Sequence, residues 1–448
     1  MDKKQTSLRL RSEFNDLKRT SESIAREINF SKNHIDSIFK GNFSYEVFFK
    51  FISKAIDFYP INLSDIIIEK KDTKNGILLF KNSLSKKSAR IFKRENRFGE
   101  LSDYYEYRDT AKSNQCFFYP EWISQIRVVK DSDPKNPDVV YNHGHFLHQI
   151  NLFVGPVNFY YEINGKKYCE EMNTGDSSYI SPYIRHSFTS RDEKKLAYIV
   201  AVTTGSNFKR NQKEIRKFGK KFIEEQIVPI KSSLKFFKNV VSEAIRNELL
   251  TDSDINKLNE IFKNKLRNEA QFGNITIDEL KKASNFLKIP VSELLIDNDE
   301  DPYVINKHKN DNDFHFYPSK TKKYYKIFRL AFSTKYKKLK AFVVEVNNKI
   351  NQKNFKFSSN LYLINFGTNS CVLNWTFSGK EFSKIINPND SLYIEPYVSF
   401  GFKNKDKNSF LYLVTSETCS SNELKREISS IKNAERVISD KSQWFKGK

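Results

Sequence analysis

Apolar residues recur along this chain with two different periods, and the two periods alternate twice. From Thr20, TSESIAREINFSKNHIDSIFKGN has apolar positions at helical spacing, breaks at Asn29-Phe30-Ser31, and resumes up to Gly41. YEVFFKFISKAIDFYPINLSDII adds two more short helices. The period then shortens. HFLHQINLFV, NFYYEI, SSYISPY and AYIVAV are alternating or wholly apolar runs bounded by Gly, Pro, Asn and Asp, the pattern of strands and turns in a small β-barrel. NITIDELKKASNFLKIPVSELL returns to helix, with Ala283 opposite Ala55 and PVSELL opposite NLSDII. LYLINFG, VLNWTF, SLYIEPY and FLYLVTS return to strands.

The alternation is a duplication. GKKYCEEMNTGDSSYISPYIRHSF, Gly165 to Phe188, aligns without gaps on GKEFSKIINPNDSLYIEPYVSFGF, Gly379 to Phe402, sharing the N-x-x-D-S-x-Y-I step and a PY pair. The same register sets Ile150-Asn151-Leu152 on Ile364-Asn365-Phe366, His145 on Ser359, Gln149 on Leu363 and His186 on Phe400. The expected fold is α+β: a tandem duplication of a helix-turn-helix-like helical domain followed by a β-barrel cupin. Its expected parts are helical 1–70, a first barrel 71–210, helical 211–300, a second barrel 301–425 and a charged tail 426–448.

Composition narrows this little. The net charge of +22 invites nucleic acid, but the lysines are spread along the chain with no single basic tail, and nucleic acid is not the expected partner. Cys116, Cys169, Cys371 and Cys419 form no CxxC pair and read as reduced thiols. No window has the apolar length of a membrane span, and the charged N-terminus lacks an apolar signal region, so a cytoplasmic protein is expected.

The candidate chemistry lies in NHGHFLHQINLF, where three of the chain's seven histidines fall within six residues. On an extended strand His143, His145 and Gln149 share a face and His148 opposes them. His145 and Gln149 could then reach one ion, with His186 as the third ligand and His143 a weaker spare. In the second copy all three positions lose ligating ability together. Two imidazoles and one oxygen donor with open positions suit mononuclear non-haem Fe(II) that binds substrate and O2.

These residues resemble the helix-turn-helix–cupin phosphonate oxygenases, and the resemblance covers nearly the whole chain. It implies Fe(II) held by His145, Gln149 and His186, and O2 as co-substrate. It also implies substrate contacts from Arg97, Tyr105, Asn142 and Lys18, with Lys18 and Tyr105 taking catalytic parts. The implied partner is 2-hydroxyethylphosphonate, in a homo-oligomer. The second barrel reads as degenerate. Glutamine in place of glutamate is similar to the members that cleave the C–C bond to give methylphosphonate and CO2 without 2-oxoglutarate. The alternative is the dioxygenase outcome, hydroxymethylphosphonate and formate. A regulator of transcription is the reading from another class; SKNHIDSIFKG offers it few base-reading side chains beyond Lys32, Asn33 and His34.

Overall fold

The computed structural model describes residues 1–116, 118–205, 212, 215–226, 233–295, 302–308, 314–334, 336, 338–347, 349–350, 352–405, 407–416, 422–432 and 435. Cys419 and most of the expected tail lie outside them. Helices Lys3–Asp16, Ser21–Glu27, Lys32–Phe39 and Tyr45–Phe58 form the first helical unit. Their starts are set by capping side chains: Thr20 and Ser23 make a capping box, and Ser31 and Ser44 accept from His34 and Val47 N–H. The apolar stripes meet in one core containing Leu10, Phe14, Ile24, Ile38 and Phe51. The second unit repeats the device. Thr276 and Glu279 cap helix Ile277–Leu287, which buries Ala283 as helix Tyr45–Phe58 buries Ala55. No helix among the described residues is long and apolar enough to cross a membrane, and Cys116, Cys169 and Cys371 are free thiols.

The first β-module has strands β1 (Ile77–Phe80), β2 (Arg90–Glu95), β3 (Leu101–Asp109), β4 (Phe118–Gln125), β5 (His148–Val154), β6 (Val157–Ile163), β7 (Lys166–Met172), β8 (Ser177–Ile180), β9 (Arg185–Ser190) and β10 (Tyr198–Thr204). The second has β11 (Tyr303–Asn306), β12 (Phe314–Pro318), β13 (Lys323–Arg329), β14 (Leu339–Val346), β15 (Asn360–Asn365), β16 (Cys371–Phe377), β17 (Lys380–Ile386), β18 (Ser391–Ile394), β19 (Ser399–Asn404) and β20 (Ser409–Ser416). Each copy builds a seven-stranded and a three-stranded sheet with a core between them, and the ladders stay open instead of closing into one ring.

The edge strands are exchanged. β1 pairs with β18 of the second copy and β11 with β8 of the first, at matching registers: Ile77 on Ile394, Tyr303 on Ile180. A division of the chain at 71 and 301 therefore does not follow the sheets. The repeated D-S step makes the exchange. Asp390 accepts from Lys81 Nζ at 3.0 Å and Asn82 N–H at 2.8 Å, while Asp176 accepts from His308 N–H at 2.7 Å. Ser391 Oγ accepts from Ala111 N–H and Ser177 Oγ from Ala331 N–H, both at 2.9 Å.

The pairings also correct the ungapped register. Gln149 lies opposite Ile180 and Leu361 opposite Ile394, the repeat-equivalent of Ile180. Tyr183 N–H donates to His145 O, and Tyr397 N–H to Phe357 O. The structural counterparts of His145 and Gln149 are thus Phe357 and Leu361, not Ser359 and Leu363; Phe400 keeps its place opposite His186. Nine residues separate Leu361 from Cys371 at the start of β16, where seven separate Gln149 from Val157 at the start of β6, and the two extra residues shift everything upstream. Sequence identity at Ile-Asn pulled the alignment the wrong way.

Asp390 is 2 % exposed and gathers donors from both copies. Replacing it with alanine leaves the part-buried N–H groups of Asn82 and Asn387 without this acceptor, so Asp390→Ala should lower unfolding stability by roughly 1–3 kcal/mol. The check is a urea melt in which the midpoint falls and the slope is unchanged.

Candidate metal centre

His145 does not sit on a strand. It lies in the loop leading to β5, which begins at His148, so strand parity does not by itself explain its position. The turn that delivers it depends on Gly144, at φ +74°, where a Cβ would stand 2.5 Å from the Tyr183 backbone. His145 Nε2 nonetheless lies 2.7 Å from Gln149 Oε1, and its ring centroid lies 5.2 Å from that of His186. Parity holds from His148 onward. Gln149 faces the inner core and is buried, whereas His148 turns outward, 2.7 Å from Tyr179 Oη and stacked on Tyr336 at 3.6 Å.

The three donors line one side of a cavity of about 240 Å³ between the sheets of the first module. His186 on β9 gives its Nδ1–H to Ile184 O at 2.8 Å, which leaves the Nε2 lone pair to face the cavity. Burial pushes His186 down to about 4, helped by the neighbouring His145, so the ring is neutral, as a metal ligand must be. His145, Gln149 and His186 are the side chains that could hold an ion. No group of three His, Cys, Asp or Glu with metal-site geometry occurs among the described residues; the third donor here is an amide.

The other expected residues divide. Asn142 is at the site, and its side-chain oxygen accepts from the N–H groups of His186 and Gly144, both at 2.9 Å. Its Nδ2 lies 3.1 Å from His186 Nε2. Tyr105 lines the cavity with its ring, but its hydroxyl accepts from Phe188 N–H at 2.9 Å and so steadies β9; burial holds that hydroxyl well above its ordinary pKa.

Arg97 and Lys18 do not reach the cavity. The Asp138 carboxylate captures the Arg97 guanidinium, with Nε at 2.7 Å, and is held below the ordinary carboxylate range by it. Lys18 is an exposed residue at φ +57° in the turn before helix Ser21–Glu27, its Nζ 3.1 Å from Asp16 O.

Sequence reasoning missed Arg94, Tyr107, Glu121 and Thr203, which also line the cavity. The backbone of Arg94 is fixed by the buried Arg127, whose Nη2 donates to Arg94 O at 3.1 Å and whose Nη1 donates to Asp138 O at 3.0 Å. In RENRF only pairing distinguishes Arg94 from Arg97: Arg94 is still on β2, opposite Ser102, while Arg97 lies in the turn beyond it.

In the second module the triad's place is taken by Phe357, Leu361 and Phe400, with the Phe357 and Phe400 rings at 6.2 Å and Leu361 in the same core as Phe400. At these three positions one copy carries polar donors and the other apolar side chains.

Duplicated helical units, paired open sheets and, among the described residues, a two-imidazole, one-amide cluster define the class, a double β-module protein with donors of metal-ligand type in its first module. No protein-family model matches the chain. It is 33 % identical to the methylphosphonate synthase of Nitrosopumilus maritimus (strain SCM1), over 96 % of this chain and 93 % of that protein. The chain belongs to the methylphosphonate synthase family. Among solved structures, the Streptomyces albus HEPD, determined with 2-hydroxyethylphosphonate and Fe(II), superposes with a TM-score of 0.86 at 26 % identity, covering 99 % of both chains. A hydroxyethylphosphonate dioxygenase variant superposes at 0.72 and 14 % identity, covering 97 % of this chain and 99 % of that one, which bears on the fold alone.

His148 and His186 are both pushed to about 4 by burial, so below about pH 6.5 the unfolded chain binds protons that the metal-free folded chain refuses. Their contribution is whole above that pH and is lost as pH falls toward 4, by at most roughly 3 kcal/mol each. His148→Phe, which can keep the stack on Tyr336, should flatten the fall in melting temperature of metal-free protein between pH 6.5 and 4.

Proposed function

We propose that this chain converts 2-hydroxyethylphosphonate to methylphosphonate and CO2, using Fe(II) held by His145, Gln149 and His186, with O2 as co-substrate. The observation that carries the reading is the neutral amide oxygen of Gln149 standing beside two imidazoles. Fe(II), when bound, would supply the coordination positions at which substrate and O2 meet, while the electrons that reduce O2 come from the substrate. With three neutral protein ligands the ion keeps its full charge, which suits a dianionic phosphonate better than a site whose charge a carboxylate has already halved.

This chain's own residues bind and orient. Arg94 offers a guanidinium to the phosphonate at the cavity wall. Once the His186 lone pair is occupied, the Asn142 Nδ2–H has lost its acceptor there and turns to a substrate oxygen beside it. Tyr105 holds β9, and hence His186, in place. Arg97 and Lys18 have no part in this reading.

The overall reaction balances as 2-hydroxyethylphosphonate plus O2 giving methylphosphonate, CO2 and water, so no 2-oxoglutarate is required. A second reading is favoured by the likeness to the Streptomyces albus HEPD. There the carbon left on phosphorus after C–C cleavage gains oxygen instead of hydrogen, giving hydroxymethylphosphonate and formate from the same reactants.

The test loads protein anaerobically with Fe(II), adds 2-hydroxyethylphosphonate and O2, and reads products by phosphorus NMR. Methylphosphonate is expected; hydroxymethylphosphonate selects the second reading, and unchanged substrate sinks both. Gln149→Leu should abolish turnover. Leu361→Ala, at the corresponding position of the apolar module, should leave turnover intact and lower stability by about 2–5 kcal/mol in a denaturant melt.

Steady-state kinetics separates the two arginines. Arg94→Gln should raise KM by about 10- to 100-fold, the worth of one charge-assisted pair. Arg97→Gln should leave KM within a factor of about two.

A further inference from the structure

A glutamine ligand carries a hazard that a carboxylate does not. Its two ends have similar size, and a half-turn of the amide replaces the oxygen with an NH2 that has no lone pair to offer a cation. Gln149 must therefore be held one way round. Its Nε2 donates to Asn151 Oδ1 at 2.7 Å, and Asn151 Nδ2 donates to Ser178 Oγ at 3.0 Å. Asn151 and Ser178 are both fully buried and lie opposite each other on β5 and β8. This three-residue chain points the Gln149 oxygen at His145.

The second module supplies the control. In the register set by strand pairing, Gln149, Asn151 and Ser178 correspond to Leu361, Leu363 and Leu392, all in one apolar core. The neighbouring Asp and Ser that exchange strands persist in both copies as Asp176-Ser177 and Asp390-Ser391. Polar groups needed for architecture are kept twice. The Gln149–Asn151–Ser178 chain is kept only where the donors are.

We propose that Asn151, backed by Ser178, is a positioning residue that orients the Gln149 amide so that its oxygen faces the metal. The proposal rests on the reading that His145, Gln149 and His186 hold the ion. It has a consequence for the choice of ligand. Asn151 can itself turn over, giving Nδ2–H to a carboxylate at 149 and taking the Ser178 hydroxyl proton on Oδ1, so it serves glutamine and glutamate alike. An aspartate at 151 can only accept, and serves glutamine alone.

The test measures Co(II) and Fe(II) affinity of metal-free protein by anaerobic calorimetry, together with the visible absorption of the Co(II) form. Asn151→Leu should weaken binding by about 10- to 100-fold and alter the Co(II) spectrum. Asn151→Asp should restore both to near the parent. Gln149→Glu should bind well alone but lose affinity when combined with Asn151→Asp, a coupling that no general loss of packing would produce. Should Asn151→Leu fail to fold, the coupling between the other two substitutions decides. Parent-like affinity and spectrum in Asn151→Leu, or additive effects in the double variant, overturn the proposal. A parent that binds neither metal takes down the metal reading itself, and that result is distinct from either.

Discussion

The central strands of the two seven-stranded sheets are buried on both faces, and the rest of the architecture depends on this. On β5, Gln149, Asn151 and Phe153 face the core of their own module, while Ile150 and Leu152 pack with Trp122 and Tyr198 against Tyr362, Tyr412 and Val414 of the other copy. Polar groups on strands so placed must find partners inside the protein. The exchanged strands β1 and β11 extend one side of each sheet by pairing with β18 and β8, and the Asp-Ser steps absorb the backbone N–H groups where the chain crosses over. Neither module is complete without a strand from beside the other.

That mutual dependence accounts for an apolar second copy. Phe357, Leu361 and Phe400 stand at the donor positions, beside a largely apolar cavity of about 200 Å³ that Phe355 and Phe357 line together with His315. The second copy contributes one whole face of the packing on which the first module rests. Both modules hold a cavity, but only the first backs its cavity with the buried hydrogen-bonded chain Gln149–Asn151–Ser178. One copy supports the fold and the other carries the chemistry.

Much of this was legible in the sequence because it is local. Helical spacing and caps locate the helices, and the N-x-x-D-S step reveals the repeat. His145, Gln149 and His186 stood out as a set, and the fold brings their side chains together. His145 reaches its place through a glycine turn rather than by strand alternation, and its counterpart in the repeat is Phe357 rather than Ser359. A two-residue difference in a turn cannot be seen when Ile-Asn happens to match on both sides of it.

What the sequence determined by itself is therefore what periodicity and residue type control: two helical units, two strand-rich modules, and donors in only one of them. Which arginine faces the cavity was decided by tertiary structure, because Arg94 and Arg97 differ only in where β2 ends and in the reach of Asp138. Tertiary structure also decided which residues stand opposite one another across β5 and β8. The link from Ser178 through Asn151 to Gln149 joins residues nearly thirty positions apart, and only strand pairing brings them within hydrogen-bond reach.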